Sequence, residues 1–157
     1  MNIRLYLIVN ISEVNTIQDV QNEIVEEFVV FDDWMDRYNY LIELSHELPL
    51  IDPKKKNNDY VIKGCQSKVW LDTEYVNGKI VYTADSDAII TKGIIALLIR
   101  VLSNRTPLEI IDTNLEFIDK IGLKENLSPT RANGLVAMIK QMKLYAIAYN
   151  AKEKRDQ

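Results

Sequence analysis

The sequence holds one cysteine and one histidine in 157 residues. A single thiol excludes an internal disulfide framework, and with one imidazole beside it there are too few ligands for a cysteine- or histidine-built metal site. Glycine and proline are sparse, at five and four, and no repeat or low-complexity block is visible. Fibrous and disordered classes are thereby set aside. No apolar run reaches membrane-spanning length: the N-terminal stretch IRLYLIVNI is too short, and no small-residue cleavage pattern follows it. The expectation is a cytoplasmic protein in a reducing compartment, without a membrane partner. A net charge of -4 leaves no basic face of the kind that displaces counterions from a duplex, so a nucleic-acid partner is not expected either. Positive charge is missing altogether from residues 12–36, which carry Glu13, Asp19, Glu23, Glu26, Glu27, Asp32, Asp33 and Asp36, whereas the segment after Ser128 is mostly basic. Either stretch suits a partner of opposite sign, and either also reads as an ordinary solvated helix surface.

What is present is the composition of one globular domain, with 47% hydrophobic and 27% charged residues. Ile17, Val20, Ile24, Phe28 and Phe31 recur at helical spacing behind a capping-box pattern of Thr16 and Asp19. A second helix is predicted over 33–48, with Trp34, Tyr38, Leu41 and Leu48 on one stripe and Pro49 at its end. DPKKKNND, at 52–59, reads as a flexible connector. Residues 61–63, 68–76 and 79–84 are rich in β-branched and aromatic residues, and Asn77-Gly78 joins the last two as a hairpin. Three antiparallel strands in a meander are expected. After them AIITKGIIALLIRVL is apolar on nearly all sides, which marks a central buried helix. Asp85 and Asp87 precede it, as helix caps or as paired carboxylates for acid–base work. Thr106-Pro107 and Ser128-Pro129 start further helices, Gly122 ends a short one, and the last helix offers Ala132, Leu135, Ile139, Met142, Ala146 and Tyr149 as its buried stripe. The fold class is α+β: two N-terminal helices, a three-stranded meander, then several helices packed on the sheet.

The lone thiol, Cys65, falls in VIKGCQSKVW, between two strand-like segments and beside Gly64, Gln66 and Ser67. A structural cysteine ordinarily sits on an apolar stripe; this one sits in a polar turn with Lys63 and Lys68 close by, a setting that favours thiolate. A structural and a reactive role both remain open. A hydrolytic nucleophile needs a general base, and His46 lies within the second helical pattern with no loop to orient it. Accepting an atom at sulfur and passing it on needs neither base nor metal. Arg131 stands in the first turn of the final helix, where the macrodipole disfavours a cation; a contact elsewhere or a salt bridge to a carboxylate explains it equally.

Taken together, GCQSKVW with the hairpin after it, ADSDAIITKGIIALL, LSPTRANGLVAMI and YLIELSHELP resemble the SufE family of sulfur-transfer proteins over roughly residues 17–150. The resemblance implies the SufE/IscU-like fold and a carrier of sulfur, not a self-standing enzyme. It implies that Cys65 takes sulfane sulfur as a persulfide from a SufS-like cysteine desulfurase, stimulates that enzyme, and delivers sulfur to a SufBCD-like scaffold complex for iron–sulfur cluster assembly. Pyridoxal phosphate is expected in the desulfurase, with no cofactor here. By the same resemblance Asp87 and Arg131 help to dock the partner or to position the thiol loop, together with Gly64, Gln66 and Ser67. Two other classes stay open: an interaction module that activates a desulfurase by binding alone, and a redox-sensing thiol protein. Residues 1–15 match nothing in the family pattern and are set aside as an N-terminal extension, whether an added strand, a disordered tail or an upstream start; 16–152 form the expected domain and 153–157 a tail.

Overall fold

A computed structural model describes residues 15–157; the expected extension therefore lies, apart from Asn15, outside the described residues. Helix α1 (Ile17–Val29) opens with the anticipated capping box, in which Thr16 and Asp19 exchange hydrogen bonds between side chain and backbone. Helix α2 (Trp34–Ser45) is capped by Asp33. It ends three residues before Leu48, although Leu48 still reaches the core. The chain then makes a short 3-10 turn at Pro53–Lys55. Strands β1 (Val69–Val76) and β2 (Lys79–Ser86) form an antiparallel hairpin. Helices α3 (Ile89–Leu102), α4 (Pro107–Asp112), α5 (Phe117–Lys120), α6 (Leu123–Asn126) and α7 (Pro129–Arg155) complete the α+β chain.

Two strands replace the expected three. Tyr60 to Ile62 do run beside β1, with Ile62 N–H donating to Val69 at 2.8 Å and Leu71 N–H to Tyr60 at 2.9 Å, but they contribute a single bridge, Val61 with Trp70. The cause is local. A turn closes at Tyr60, whose N–H meets the Asn57 carbonyl at 3.1 Å, and another opens at Gly64, so only about three residues stay in register. The 52–59 connector is likewise tied down: Lys55 pairs with Asp72 at 2.8 Å and Lys56 with Asp85 at 2.9 Å, while the Lys56 ammonium sits over the Trp70 ring. The outer edge of β2 is covered as well, by Ile51 bonded to Ala84 and by Asn104 and Arg105 bonded to Ile80. An edge so occupied cannot recruit another strand there.

The core forms around α3, eleven of whose fourteen residues are buried; a helix apolar on most sides has no solvent face and must lie in the middle. Phe28, Leu41, Leu71, Tyr82 and Phe117 close on it. Part of the acidic run is consumed here, since Arg100 on α3 pairs with both Glu23 and Glu27 of α1. Burial raises Glu27, but hydrogen bonds from Arg100 and Tyr40 outweigh it and hold the carboxyl below its usual value.

The long helix α7 lies along the hairpin and holds its middle and its turn end. Tyr82 is fully buried and its hydroxyl donates to the Met142 carbonyl at 2.8 Å; farther along, Thr73 and Tyr149 share a 2.9 Å hydrogen bond and Tyr75 stacks on Tyr149. The helix continues through Arg155, so it takes in most of the segment expected as a tail. Consequently the Asn77-Gly78 end of the hairpin faces the C-terminal half of α7. The thiol loop, at the other end of β1, faces its first turns.

Candidate functional site

The loop 63–67 is held at its exit by the junction between β2 and α3. Lys68 N–H donates to the Asp87 carboxylate at 3.0 Å, Asp87 N–H returns a bond to the Lys68 carbonyl at 3.2 Å, and Ser86 Oγ donates to the same carbonyl at 2.9 Å. The cap expected of Asp85 and Asp87 is therefore not made. Helix α3 begins behind Ala88 with no side-chain cap, because tertiary partners outcompete the local one. Asp87 serves the thiol loop. Asp85 binds Lys56 and Lys92, at 2.9 and 3.2 Å, and the Ser86 N–H. Burial raises Asp85, yet those three donors outweigh it and hold the carboxyl below its ordinary value. A carboxylate kept ionised in this way is a structural anchor, and the acid–base pairing receives no support from it.

At the entrance Gly64 adopts φ +94°, a left-handed conformation that side-chain-bearing residues avoid, and a Cβ placed there would stand 3.4 Å from Ala137 Cβ on α7. That backbone bend turns Cys65 inward. Its Sγ lies 3.6 Å from the Gly134 carbonyl of α7, a weak thiol contact, and the side chain is half-buried against the core. The expected effect of Lys63 and Lys68 is absent: both are exposed, and Lys63 opens instead onto a separate depression with Gly64, Val136 and Lys140. Burial alone governs the thiol and pushes its pKa up, which favours the thiol over the thiolate.

Beside Sγ is a cavity of about 20 Å³. Gln66, Ser67 and Arg131, all singled out from sequence, line it with Cys65. Arg131 makes no ion pair among the described residues; its backbone N–H meets the capping Ser128 hydroxyl at 3.3 Å and its side chain stands exposed at the cavity rim. Of the two explanations left open for it, the salt bridge is not formed. Asp87 acts one step away, through Lys68. His46 is an exposed residue following α2 and does not line this cavity, so no imidazole is placed to act as base. Four lining residues escaped the sequence reading: Thr91 on α3, and Thr130, Gly134 and Met138 on α7. A glycine inside a long helix, where it costs roughly 1 kcal/mol against alanine, was the available signal. Among the described residues no cluster of His, Cys, Asp and Glu could hold a metal ion, and no helix is long and apolar enough to cross a membrane.

Comparison with known proteins bears on the same region. A family model described as the SufE Fe-S metabolism associated domain matches residues 22–146. A SufE-like protein of Rhizobium etli is 39% identical over 127 residues, covering 78% of this chain and 86% of that protein; one from Synechocystis is 37% identical over 127 residues, covering 81% and 80%. A chloroplastic/mitochondrial SufE-like protein of Arabidopsis thaliana is 35% identical over 85% of this chain, which spans 36% of that longer protein. The solution structure of a hypothetical protein from Thermus thermophilus superposes with a TM-score of 0.67 over 82% of this chain and 94% of that one, at 20% identity, and so shares the fold. The family match runs from α1 to the middle of α7 and takes in the thiol loop, the Asp87 clamp and the Arg131 rim; the chain belongs to the SufE family, whose domain is associated with iron–sulfur metabolism.

Proposed function

We propose that the chain is a sulfur carrier: Cys65 accepts sulfane sulfur from the persulfide of a cysteine desulfurase, stimulates that enzyme by relieving it of product, and passes the sulfur to an iron–sulfur scaffold complex. The observation that carries this reading is the half-buried thiol held under a clamped loop beside an atom-sized cavity. An exposed persulfide would be discharged by solvent thiols, and a buried one is guarded. Transfer then needs the loop to open and the thiol to lose its proton. The Cys65 thiolate attacks the outer sulfur of the donor persulfide; the new bond joins Cys65 Sγ to that sulfur, the donor's own S–S bond breaks, and the donor sulfur leaves as thiolate. No external oxidant or reductant enters. Asp87 positions the loop by its bond to Lys68 N–H, and Arg131 and Gln66, exposed at the rim, meet the incoming partner. Pyridoxal phosphate belongs to the partner's chemistry. A reducing, cytoplasmic setting suits a lone thiol of this kind.

The experiment is desulfurase turnover on L-cysteine with added wild type or Cys65→Ser chain. The carrier reading expects stimulation by wild type and its loss in the serine variant, with binding retained. Equal stimulation by both would recast the domain as an activator that works by binding alone. Rapid sulfenic acid formation in peroxide without any partner would favour a redox sensor, a behaviour that a thiol with a raised pKa opposes.

A further inference from the structure

We infer that Asp85 is a second positioning residue for the thiol loop, holding the chain that enters it through an ionic latch to Lys56, as Asp87 holds the chain that leaves it. This deepens the sulfur-carrier reading and rests on it, because loading and unloading Cys65 require the loop to open. Both carboxylates come from the one junction between β2 and α3, and neither is used to cap α3, which begins with no side-chain cap. Asp87 reaches the Lys68 N–H at 3.0 Å, three residues after the thiol. Asp85 reaches the Lys56 ammonium at 2.9 Å, nine residues before it.

Lys56 is placed to act on the loop as well as on the connector. Its ammonium also stands 5.0 Å from the centroid of the Trp70 ring. Trp70 lies opposite Asp85 in the hairpin and forms the single bridge with Val61, at the root of the loop. A cation held between a carboxylate and an aromatic face is attracted by both. One contact therefore ties together the connector, both strands and the loop root. Asp85 is the better shielded partner, its side chain 14% exposed against 35% for Lys56. Lys92 at 3.2 Å and the Ser86 N–H at 2.8 Å fix its direction, and Lys92 follows Thr91, which lines the Cys65 cavity. The neighbouring Lys55 pairs with Asp72 at 2.8 Å and lies 5.6 Å from the Tyr60 ring, which extends the latch by one residue. Ion pairs with lysines this open to solvent weaken as salt screens them, so the entrance of the loop opens more readily at high ionic strength.

The test is the rate of Cys65 alkylation by iodoacetamide, which needs no desulfurase, measured far below the urea-unfolding transition of each variant. Wild type is expected to react about threefold faster at about 0.5 M than at about 20 mM salt, as screening loosens the latch. Asp85→Asn keeps the shape and can still accept from the Ser86 N–H. It is expected to react about fivefold faster than wild type at low salt and to lose most of the salt dependence. Lys56→Met leaves the charge at the head of α3 in place and should do the same, and Lys56→Arg should restore slow reaction. The Asp85→Asn/Lys56→Met double variant should react no faster than the faster single one, as two halves of one contact must. Glu116→Gln breaks an exposed pair with Lys120 elsewhere and should match wild type. Unchanged alkylation in Asp85→Asn or Lys56→Met, or additive acceleration in the double variant, overturns the latch even if stability falls. If a desulfurase fails to load Cys65 while both single variants still free the thiol, the proposed donor is lost and the latch stands.

Discussion

The two ends of strand β1 use the same backbone device for different purposes. Beyond its C-terminal end, Asn77 and Gly78 take φ of 52° and 79°, and a Cβ on Gly78 would meet nothing within 4 Å. Before its N-terminal end, Gly64 takes φ +94° with α7 at its back, and the residue after it is pressed against Gly134. The first turn is specified by two adjacent residues. The second is specified by three elements far apart in sequence: the β2–α3 junction, the wall of α3 and the first turns of α7. A left-handed glycine that only reverses the chain can be read locally, whereas one that turns a thiol under a helix becomes meaningful only when the helix arrives.

The largest way to break that contrast is Gly64→Val. Strain of about 1–3 kcal/mol falls on the thiol loop, and expelling Cys65 from its cavity is expected to raise its iodoacetamide reactivity at least about tenfold, the equivalent of about 1.4 kcal/mol in the opening equilibrium. Unchanged reactivity in a destabilised variant would mean that the loop does not control the thiol. Asp87→Ala comes next. It strands the Lys68 N–H and is expected to cost about 1 kcal/mol in urea unfolding and to raise Cys65 reactivity by a few-fold; a stability loss with no change at the thiol would make the clamp purely structural.

A pH profile sharpens the comparison more gently. Burial sets the folded thiol above its unfolded pKa, so the stabilising contribution is complete below the unfolded value and is lost as pH rises through the folded one. Iodoacetamide reaction of the native chain should accordingly reach half its plateau at higher pH than in urea. A native midpoint at or below the unfolded one contradicts the burial argument. The smallest effect belongs to the far turn: Gly78→Val should cost about 1–2 kcal/mol from the left-handed conformation alone and leave Cys65 reactivity untouched. Any acceleration there would show that the two ends of β1 are coupled.

Legibility in the sequence followed the same division. The caps at Thr16, Thr106 and Ser128 and the Asn77-Gly78 hairpin were readable because each rests on residues within three or four positions. The apolar stretch of α3 announced its burial by composition. The third strand was over-read, because alternation in 61–63 could not reveal the turns that cut it to one bridge. Asp85 and Asp87 were misassigned as caps because Lys56, Lys92 and the Lys68 backbone, which claim them, lie outside any local window. At the site, Cys65, Gln66, Ser67 and Arg131 were recognised and do converge. The state of the thiol was not readable: exposed lysines beside it in sequence suggested thiolate, whereas burial by packing from distant parts of the chain pushes its pKa up.

The most direct measurement of the central claim is intact-protein mass after incubation with a cysteine desulfurase and L-cysteine, wild type against Cys65→Ser. The account predicts a gain of one sulfur atom on wild type, removed by reducing agent and absent from the serine variant. No gain on wild type, with desulfurase turnover still stimulated, would contradict the carrier role and leave the sheltered thiol without a cargo.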